Sequence, residues 1–118
     1  CALLSGRRSA AVTQRAAELG IEQVLQGIDH KLPAFEELLK KRNLKAHDAG
    51  YMGDELVDLP VLTRCGFACA PREAPEAVRT RVHYVATAPA GRGAAREVCE
   101  LVLRAQGRLE QAVQSYLR

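Results

Sequence analysis

Five short apolar runs alternate with longer segments of helical period, and this alternation constrains the fold more than any other feature of the sequence. The runs cover residues 2–4, 23–26, 49–52, 67–70 and 83–86. Each has the length of a strand, and the segments between them leave room for crossover helices. Because strand–helix–strand crossovers are right-handed, the pattern predicts an α/β fold of Rossmann type, with a mainly parallel sheet and helices on both faces.

Three segments carry the clearest helical periodicity. In residues 9–19 one face is traced in part by four apolar side chains: Ala10, Val12, Ala16 and Leu19. A helix near Pro33 ends in the basic run 40–42, where cations complement the helix dipole. In residues 94–105 the predicted inward residues are Val98, Leu101, Val102 and Ala105. With 118 residues we expect one domain over residues 1–107, and residues 108–118 form a tail of near-helical spacing.

Charge and composition exclude several classes of protein. Seventeen basic against 14 acidic residues leave +3, and with 4% aromatic residues and scattered arginines we do not expect a nucleic-acid binder. No apolar stretch has the length of a membrane helix, and the start does not resemble a signal peptide, so we expect a soluble cytoplasmic protein. The four cysteines lie in or beside apolar runs, where we expect a free cysteine to be buried as a small apolar side chain. Cys65-x-x-x-Cys69 with His83 matches no usual zinc pattern.

Polar residues that directly follow the runs are candidate site residues, since ligands gather at the carboxyl ends of parallel strands. The first run leads into Ser5-Gly6-Arg7, a hydroxyl, a glycine that permits a tight turn and a guanidinium, just before a helix. This combination suits a phosphoryl or carboxylate group. The alternative is ordinary helix-entry chemistry.

A second candidate follows the third run, where Asp54 and Asp58 are four residues apart in Gly53-Asp54-Glu55-Leu56-Val57-Asp58. Such a pair can give a hard cation such as Mg²⁺ one direct ligand and one outer partner. In the alternative interpretation Asp54 caps a helix and Asp58 is solvated. Lys31, after the second run, can neutralise phosphate or be an ordinary surface lysine. His30 beside it is the one histidine placed in a candidate site loop.

Together these segments resemble motifs two, three and four of the haloacid dehalogenase superfamily. The stretches GDELVDLPVL (53–62) and GRGAAREVCE (91–100), with shorter matches at 20–22, 26–27 and 31–32, narrow the resemblance to the capless 3-deoxy-D-manno-octulosonate 8-phosphate phosphatases. The similarity extends from Leu3 to about Gly107. It implies a Mg²⁺-dependent phosphomonoester hydrolase of lipopolysaccharide precursor synthesis, which works through an aspartyl-phosphate.

The resemblance also implies roles for single residues. Ser5 would hydrogen-bond a phosphoryl oxygen, and Lys31 would pair with the phosphate and the nucleophile. Asp54 would ligate Mg²⁺, and Asp58 would orient Lys31 or metal-bound water.

The expected substrate site includes Gly6 beside Ser5 and Lys31. Arg7 and Arg15 match positions that contact the anionic sugar acid in the family. Arg92, between two glycines, is expected at the mouth of the site.

One departure is large: the family's first motif, Asp-x-Asp at the end of a central strand, is absent from the sequence. That motif holds the nucleophile and the general acid/base. Without its strand, two strand edges would be unpaired and a trench would open in the core. We therefore expect this chain to be part of a longer protein and to be inactive alone.

Other functions stay open at this point. The phosphatase-like domain of an acylneuraminate cytidylyltransferase would share the phosphoryl-binding residues. A non-catalytic assembly module would explain the missing first motif. The family's members assemble as homotetramers, so the resemblance also implies a homotetramer in which the tail after Gly107 contacts a neighbouring subunit.

Overall fold

Each apolar run of the sequence forms a strand in the computed structural model, which describes residues 1–117. The strands are β1 (Ala2–Leu4), β2 (Gln23–Leu25), β3 (Gly50–Met52), β4 (Phe67–Ala70) and β5 (Tyr84–Val85). The helices are α1 (Ala10–Glu18), α2 (Lys31–Lys41), α3 (Leu59–Leu62), α4 (Glu76–Arg79), α5 (Ala94–Ala105) and α6 (Leu109–Tyr116). Short 3₁₀ helices at Ala46–Asp48 and Leu56–Asp58 flank β3.

All paired strands run parallel, which confirms the predicted α/β class. The pairs divide into two sheets, however: β1 with β2, and β3 with β4 and β5. The connections between strands are short, and within residues 1–117 none carries an inserted cap domain.

A large apolar cavity separates the two sheets. Its volume is about 1010 Å³, and it is lined by β1, β3, α2 and α5 through residues that include Leu3, Met52, Phe35 and Val98. The resemblance implies a missing central strand between the strands that end at Leu4 and Met52, and the gap lies between those two strands.

The main core lies where α2 and α3 pack on β4. Phe35 and Leu39 of α2 meet Val61 and Leu62 of α3 over Ala68. Val61 and Leu62 are almost fully buried, and each such side chain stabilises the fold by about 1.5–3 kcal/mol through apolar burial. This packing fixes α2 relative to the segment after β3, and both carry predicted site residues.

Some predicted inward residues are exposed. Of the four apolar residues that partly trace one face of α1, only Ala16 is buried; Leu19 is 57% exposed because it caps α1 and the chain turns away at Gly20. Val102 of α5 lines the wall of the cavity and is exposed there, and Ala105 is exposed too. Val98 is buried as predicted.

All four cysteines are free thiols, of which two are buried and two are exposed. Cys65 and Cys69 are buried, and burial raises the pKa of both thiols, that of Cys69 to about 11. Cys1 and Cys99 are exposed, so the expectation of a buried thiol is wrong for these two. Among the described helices, none is both long and apolar enough to cross a membrane.

Candidate functional site

The loops that follow β1 and β2 are joined to each other by backbone hydrogen bonds. The Ile28 N–H donates to the Ser5 carbonyl (2.9 Å), and the Gly27 N–H donates to the Arg7 carbonyl (3.2 Å). The loop after β2 then leads into α2, whose first residue is Lys31. Parallel pairing therefore places Ser5 and Lys31 at the same end of the β1–β2 sheet.

Asp58 is the centre of the site. It is 1% exposed, and its Oδ1 accepts hydrogen bonds from Lys31 Nζ and from the Tyr51 hydroxyl, both at 2.8 Å. Its Oδ2 accepts from the backbone N–H groups of Asp54 and Glu55, both at 3.1 Å. A buried carboxylate requires a paired charge and satisfied oxygens, and Asp58 has both.

The local sequence explains why Asp58 turns inward. After β3 the chain forms a 3₁₀ helix at Leu56–Asp58, which brings the Asp58 side chain back to the N–H groups at the start of the loop. Gly53 leaves room for it, since a Cβ there would lie 2.5 Å from the Asp58 Cβ. The alternative in which Asp54 caps a helix and Asp58 is solvated is therefore wrong.

Tyr51 is a member of the site that sequence reasoning missed. Its ring packs edge-on against Phe35, with ring centroids 6.0 Å apart. Burial, followed by the charge of Asp58, raises the pKa of its hydroxyl. The available signal was a tyrosine inside an apolar strand, because a buried tyrosine hydroxyl needs a partner.

Asp54 directly follows Gly53 and lines the cavity between the two sheets. The residue is exposed, and its carboxylate takes part in none of the ion pairs found among residues 1–117. Its charge also contributes to raising the pKa of Tyr51, which places it near the Asp58 cluster.

The donor groups of these residues decide whether the site fits a magnesium ion. Mg²⁺ is usually held by one or two carboxylates, with waters and substrate phosphate completing its six oxygens. Asp54 offers one free carboxylate, whereas both oxygens of Asp58 are already engaged. Within the described residues no group of three His, Cys, Asp or Glu side chains is arranged to hold a metal. The chain thus fits Mg²⁺ as the donor of one direct ligand.

Ser5, Gly6 and Arg7 form a tight turn at the end of β1. The Arg7 N–H donates to Ser5 Oγ (3.1 Å), and Gly6 and the side chain of Arg7 are exposed. Arg15 lies on α1, where its guanidinium pairs with Glu18 at 3.1 Å. Among residues 1–117, neither Ser5 Oγ nor Arg15 makes a hydrogen bond or ion pair with Lys31 or Asp54; the Ser5 carbonyl accepts the Ile28 N–H of the loop before α2.

The loop after β5 is fixed by Glu97 of α5, a residue that sequence reasoning also missed. Its carboxylate accepts hydrogen bonds from the Tyr84 hydroxyl, from the N–H and hydroxyl of Thr87 and from the Ala88 N–H. These bonds, led by that from Tyr84, lower the pKa of Glu97 to about 2. The loop they hold leads to Arg92, which is exposed. His30 is exposed and makes no capping hydrogen bond at the start of α2.

Several proteins of known activity are similar to this chain. The 3-deoxy-D-manno-octulosonate 8-phosphate phosphatase KdsC of Escherichia coli K12 is 41% identical over 111 residues, which are 94% of this chain and 59% of that protein. The chain thus spans about three fifths of the length of the curated relatives that it matches. No family model matches it.

Solved structures agree with the sequence relatives. The phosphatase of the same name from Moraxella catarrhalis, in complex with magnesium ion, phosphate ion and a KDO molecule, superposes with a TM-score of 0.94 at 39% identity. It is matched over 98% of this chain and 66% of that chain. The cobalt-bound phosphatase YrbI of Haemophilus influenzae gives 0.91 at 36% identity, over 99% of this chain and 70% of that one.

These likenesses cover nearly all of the chain and favour one enzyme name. They do not favour the phosphatase-like domain of an acylneuraminate cytidylyltransferase. The chain belongs to the 3-deoxy-D-manno-octulosonate 8-phosphate phosphatase family of the haloacid dehalogenase superfamily.

Proposed function

We propose that the full-length protein is a Mg²⁺-dependent phosphatase that hydrolyses 3-deoxy-D-manno-octulosonate 8-phosphate, a step of lipopolysaccharide precursor synthesis. The observation that carries the proposal is the buried Lys31–Asp58 ion pair (2.8 Å) next to the open carboxylate of Asp54. A fixed cation and a free anionic ligand at one edge suit a phosphoryl group and a divalent metal. The names of the relatives supply the substrate.

Lys31 and Ser5 bind the phosphoryl group in this proposal. Asp58 holds the Lys31 ammonium by one contact, so further protons of the ammonium are available to phosphate oxygens. Ser5 Oγ already accepts the Arg7 N–H, which leaves its own proton free to be donated to a phosphoryl oxygen. Both contacts strengthen as negative charge develops on that group.

Asp54 would hold the magnesium ion. When bound, Mg²⁺ neutralises charge on the transferring phosphoryl group. Asp58 would not bind the ion itself; it would hold the metal ligand and the lysine in place, because it accepts hydrogen bonds from the backbone N–H of Asp54 and from Lys31.

We further propose that the carboxylate nucleophile is carried by a strand that fills the gap between β1 and β3. That gap has an apolar wall and is bordered by β1 on one side and β3 on the other, each of which is paired on one edge only among residues 1–117. Residues 1–107 then form part of a phosphatase domain that is inactive without this strand. If the gene encodes no segment ending in Asp-x-Asp, the chain is instead a non-catalytic assembly module.

Arg7 and Arg15 are proposed to bind the sugar acid. Two guanidiniums suit a substrate that carries both a carboxylate and a phosphate. Arg7 is exposed beside Ser5, whereas Arg15 must leave Glu18 to reach a substrate. We therefore expect Arg7→Ala to raise KM more than Arg15→Ala does.

The test is phosphate release by the full-length protein from the eight-carbon substrate, with and without Mg²⁺. Asp54→Asn should lower kcat by about a hundredfold or more, since a metal ligand is lost. Asp48→Asn is the matched control, because Asp48 precedes β3 and Asp54 follows it. We expect Asp48→Asn to retain activity within about twofold of the natural protein, since Asp48 touches no group of the site. Activity that survives Asp54→Asn, or equal turnover of neutral sugar phosphates, would contradict the proposal.

For the assembly we propose a cytoplasmic homotetramer. Val113, Tyr116 and Leu117 are exposed on or beside α6, and an apolar helix face of this kind is typical of a subunit contact. Light scattering by the full-length protein should give the mass of four chains, and a monomer would contradict this.

A further inference from the structure

We propose that Tyr51 is a positioning residue for Lys31: its hydroxyl fixes the Asp58 carboxylate, which in turn fixes the Lys31 ammonium. The inference rests on the proposed function for its consequence in catalysis, but its structural part can be tested separately.

The carboxylate of Asp58 is held from two sides. Backbone N–H groups hold Oδ2, while Tyr51 and Lys31 share Oδ1. Because the backbone contacts fix only one oxygen, rotation of the carboxylate is decided at Oδ1. A lysine cannot decide it alone, since its four-carbon stem is flexible, whereas a tyrosine in a strand is stiff.

Tyr51 is itself fixed to the helix that carries Lys31. Its backbone is paired with Ala68 in the sheet, and its ring packs edge-on against Phe35. Phe35 lies four residues after Lys31, so both are on one face of α2. Tyr51 thus contacts both the helix of Lys31 and the carboxylate that binds Lys31, and it sets their relative position.

The hydroxyl stays a donor under working conditions. Burial and the neighbouring Asp58 charge raise the pKa of Tyr51, so it keeps its proton at neutral pH.

The structural part is tested by nuclear magnetic resonance of the lysine ammonium groups. The chain has only four lysines, Lys31, Lys40, Lys41 and Lys45, and the last three are exposed. We expect one slowly exchanging ammonium signal, from Lys31. Tyr51→Phe should speed its exchange by about tenfold, as expected when one hydrogen bond of the network is lost.

Tyr84→Phe is the matched control. Tyr84 also lies in a strand and also donates its hydroxyl to a carboxylate, that of Glu97. We expect the Tyr84→Phe variant to leave the Lys31 ammonium signal unchanged. An unchanged signal in Tyr51→Phe, or the same loss in Tyr84→Phe, would overturn the proposal.

Should Tyr51→Phe fail to fold, the natural protein still gives a test, because the Tyr51 hydroxyl proton should show a nuclear Overhauser effect to the Lys31 ammonium. Its absence would likewise overturn the proposal.

The catalytic part is tested in the full-length protein. Tyr51→Phe should lower kcat about tenfold and change KM by less than about twofold, since positioning of a cation matters most in the transition state. In an Asp58→Asn background, Tyr51→Phe should no longer lower kcat, because Tyr51 acts through Asp58. Additive effects would overturn the proposal. A natural protein without phosphatase activity would contradict the proposed function alone and leave the resonance result standing.

Discussion

At the residue scale, the candidate site depends on the buried carboxylate of Asp58, both oxygens of which accept hydrogen bonds. Asp58 has four donors, and the absence of a side chain at Gly53 is what admits it. The free energy of this arrangement depends on close packing as much as on charge.

Gly53→Ala tests that packing. A Cβ at this position would lie 2.5 Å from the Asp58 Cβ and 2.7 Å from its Cγ, so the carboxylate must move. We expect the free energy of unfolding to fall by about 1–3 kcal/mol, as in other overpacked cores, with loss of the slow Lys31 ammonium signal. Urea unfolding measures the first effect. Gly50→Ala, in the strand that ends just before Gly53, meets only ordinary contacts from 3.5 Å outward and should cost less than about 0.5 kcal/mol. Equal costs for the two variants would contradict this account.

Glu97 predicts a pH dependence of stability. Its pKa is lowered from 4.5 to about 2, chiefly by the Tyr84 hydroxyl and then by Thr87. A carboxyl group with a lowered pKa stabilises the fold above its ordinary pKa, and this stabilisation is lost as the pH falls from about 4.5 toward 2. Urea unfolding of the natural protein and of Glu97→Gln should therefore differ at neutral pH and converge at low pH. Tyr84→Phe should move the loss to higher pH, and an unchanged profile in that variant would contradict the assigned cause.

Residue types and spacing singled out Asp58, Lys31 and Ser5 as candidate site residues, but not the side chains that the structure places beside them. Lys31 and Asp58 could be found because each follows an apolar run. The hydroxyl of Tyr51 and the carboxylate of Glu97 could not, because hydrogen-bond partners depend on side-chain directions that a periodic pattern does not contain. Ser5 and Lys31 share no hydrogen bond in the described residues; the Ser5 carbonyl accepts the Ile28 N–H of the loop that precedes α2.

At the element scale, the strands and helices follow the sequence closely because local signals agree. Helix α5 begins and ends at the predicted residues, 94 and 105, and each strand overlaps its apolar run. The differences are in burial, at Leu19, Val102, Ala105 and Cys99. These residues lie where the chain leaves a helix or where α5 borders the cavity, so their exposure depends on neighbours that local periodicity cannot identify.

The packing of α3 gives an element-scale prediction. Leu62 is 1% exposed in the core between α2 and β4, whereas Leu56, in the preceding 3₁₀ helix, is 57% exposed. Leu62→Ala should lower the free energy of unfolding by about 2–5 kcal/mol through lost burial and a new cavity. Leu56→Ala, the same chemical change, should lower it by less than about 0.5 kcal/mol. Urea unfolding distinguishes them, and similar losses would show that α3 is not part of the core.

At the scale of the whole molecule, the open space between the sheets gives a further prediction. The 118-residue chain should bind an apolar dye such as ANS with a strong rise in fluorescence, since the cavity wall is accessible and mostly apolar. Supplying the proposed strand, as in the full-length protein, should remove most of this fluorescence. Val113→Ser on α6, away from the cavity, is the control and should leave it unchanged. Weak fluorescence of the short chain would mean that the cavity closes in solution.

The Lys31–Asp58 contact joins the two halves of the molecule. Lys31 starts the helix that leaves the β1–β2 sheet, and Asp58 follows the first strand of the other sheet. The position of the Lys31 ammonium therefore depends on how the β1–β2 sheet lies relative to the β3–β4–β5 sheet. A shift of one sheet relative to the other would therefore change this 2.8 Å contact directly, and with it the position of the ammonium that is proposed to bind phosphate.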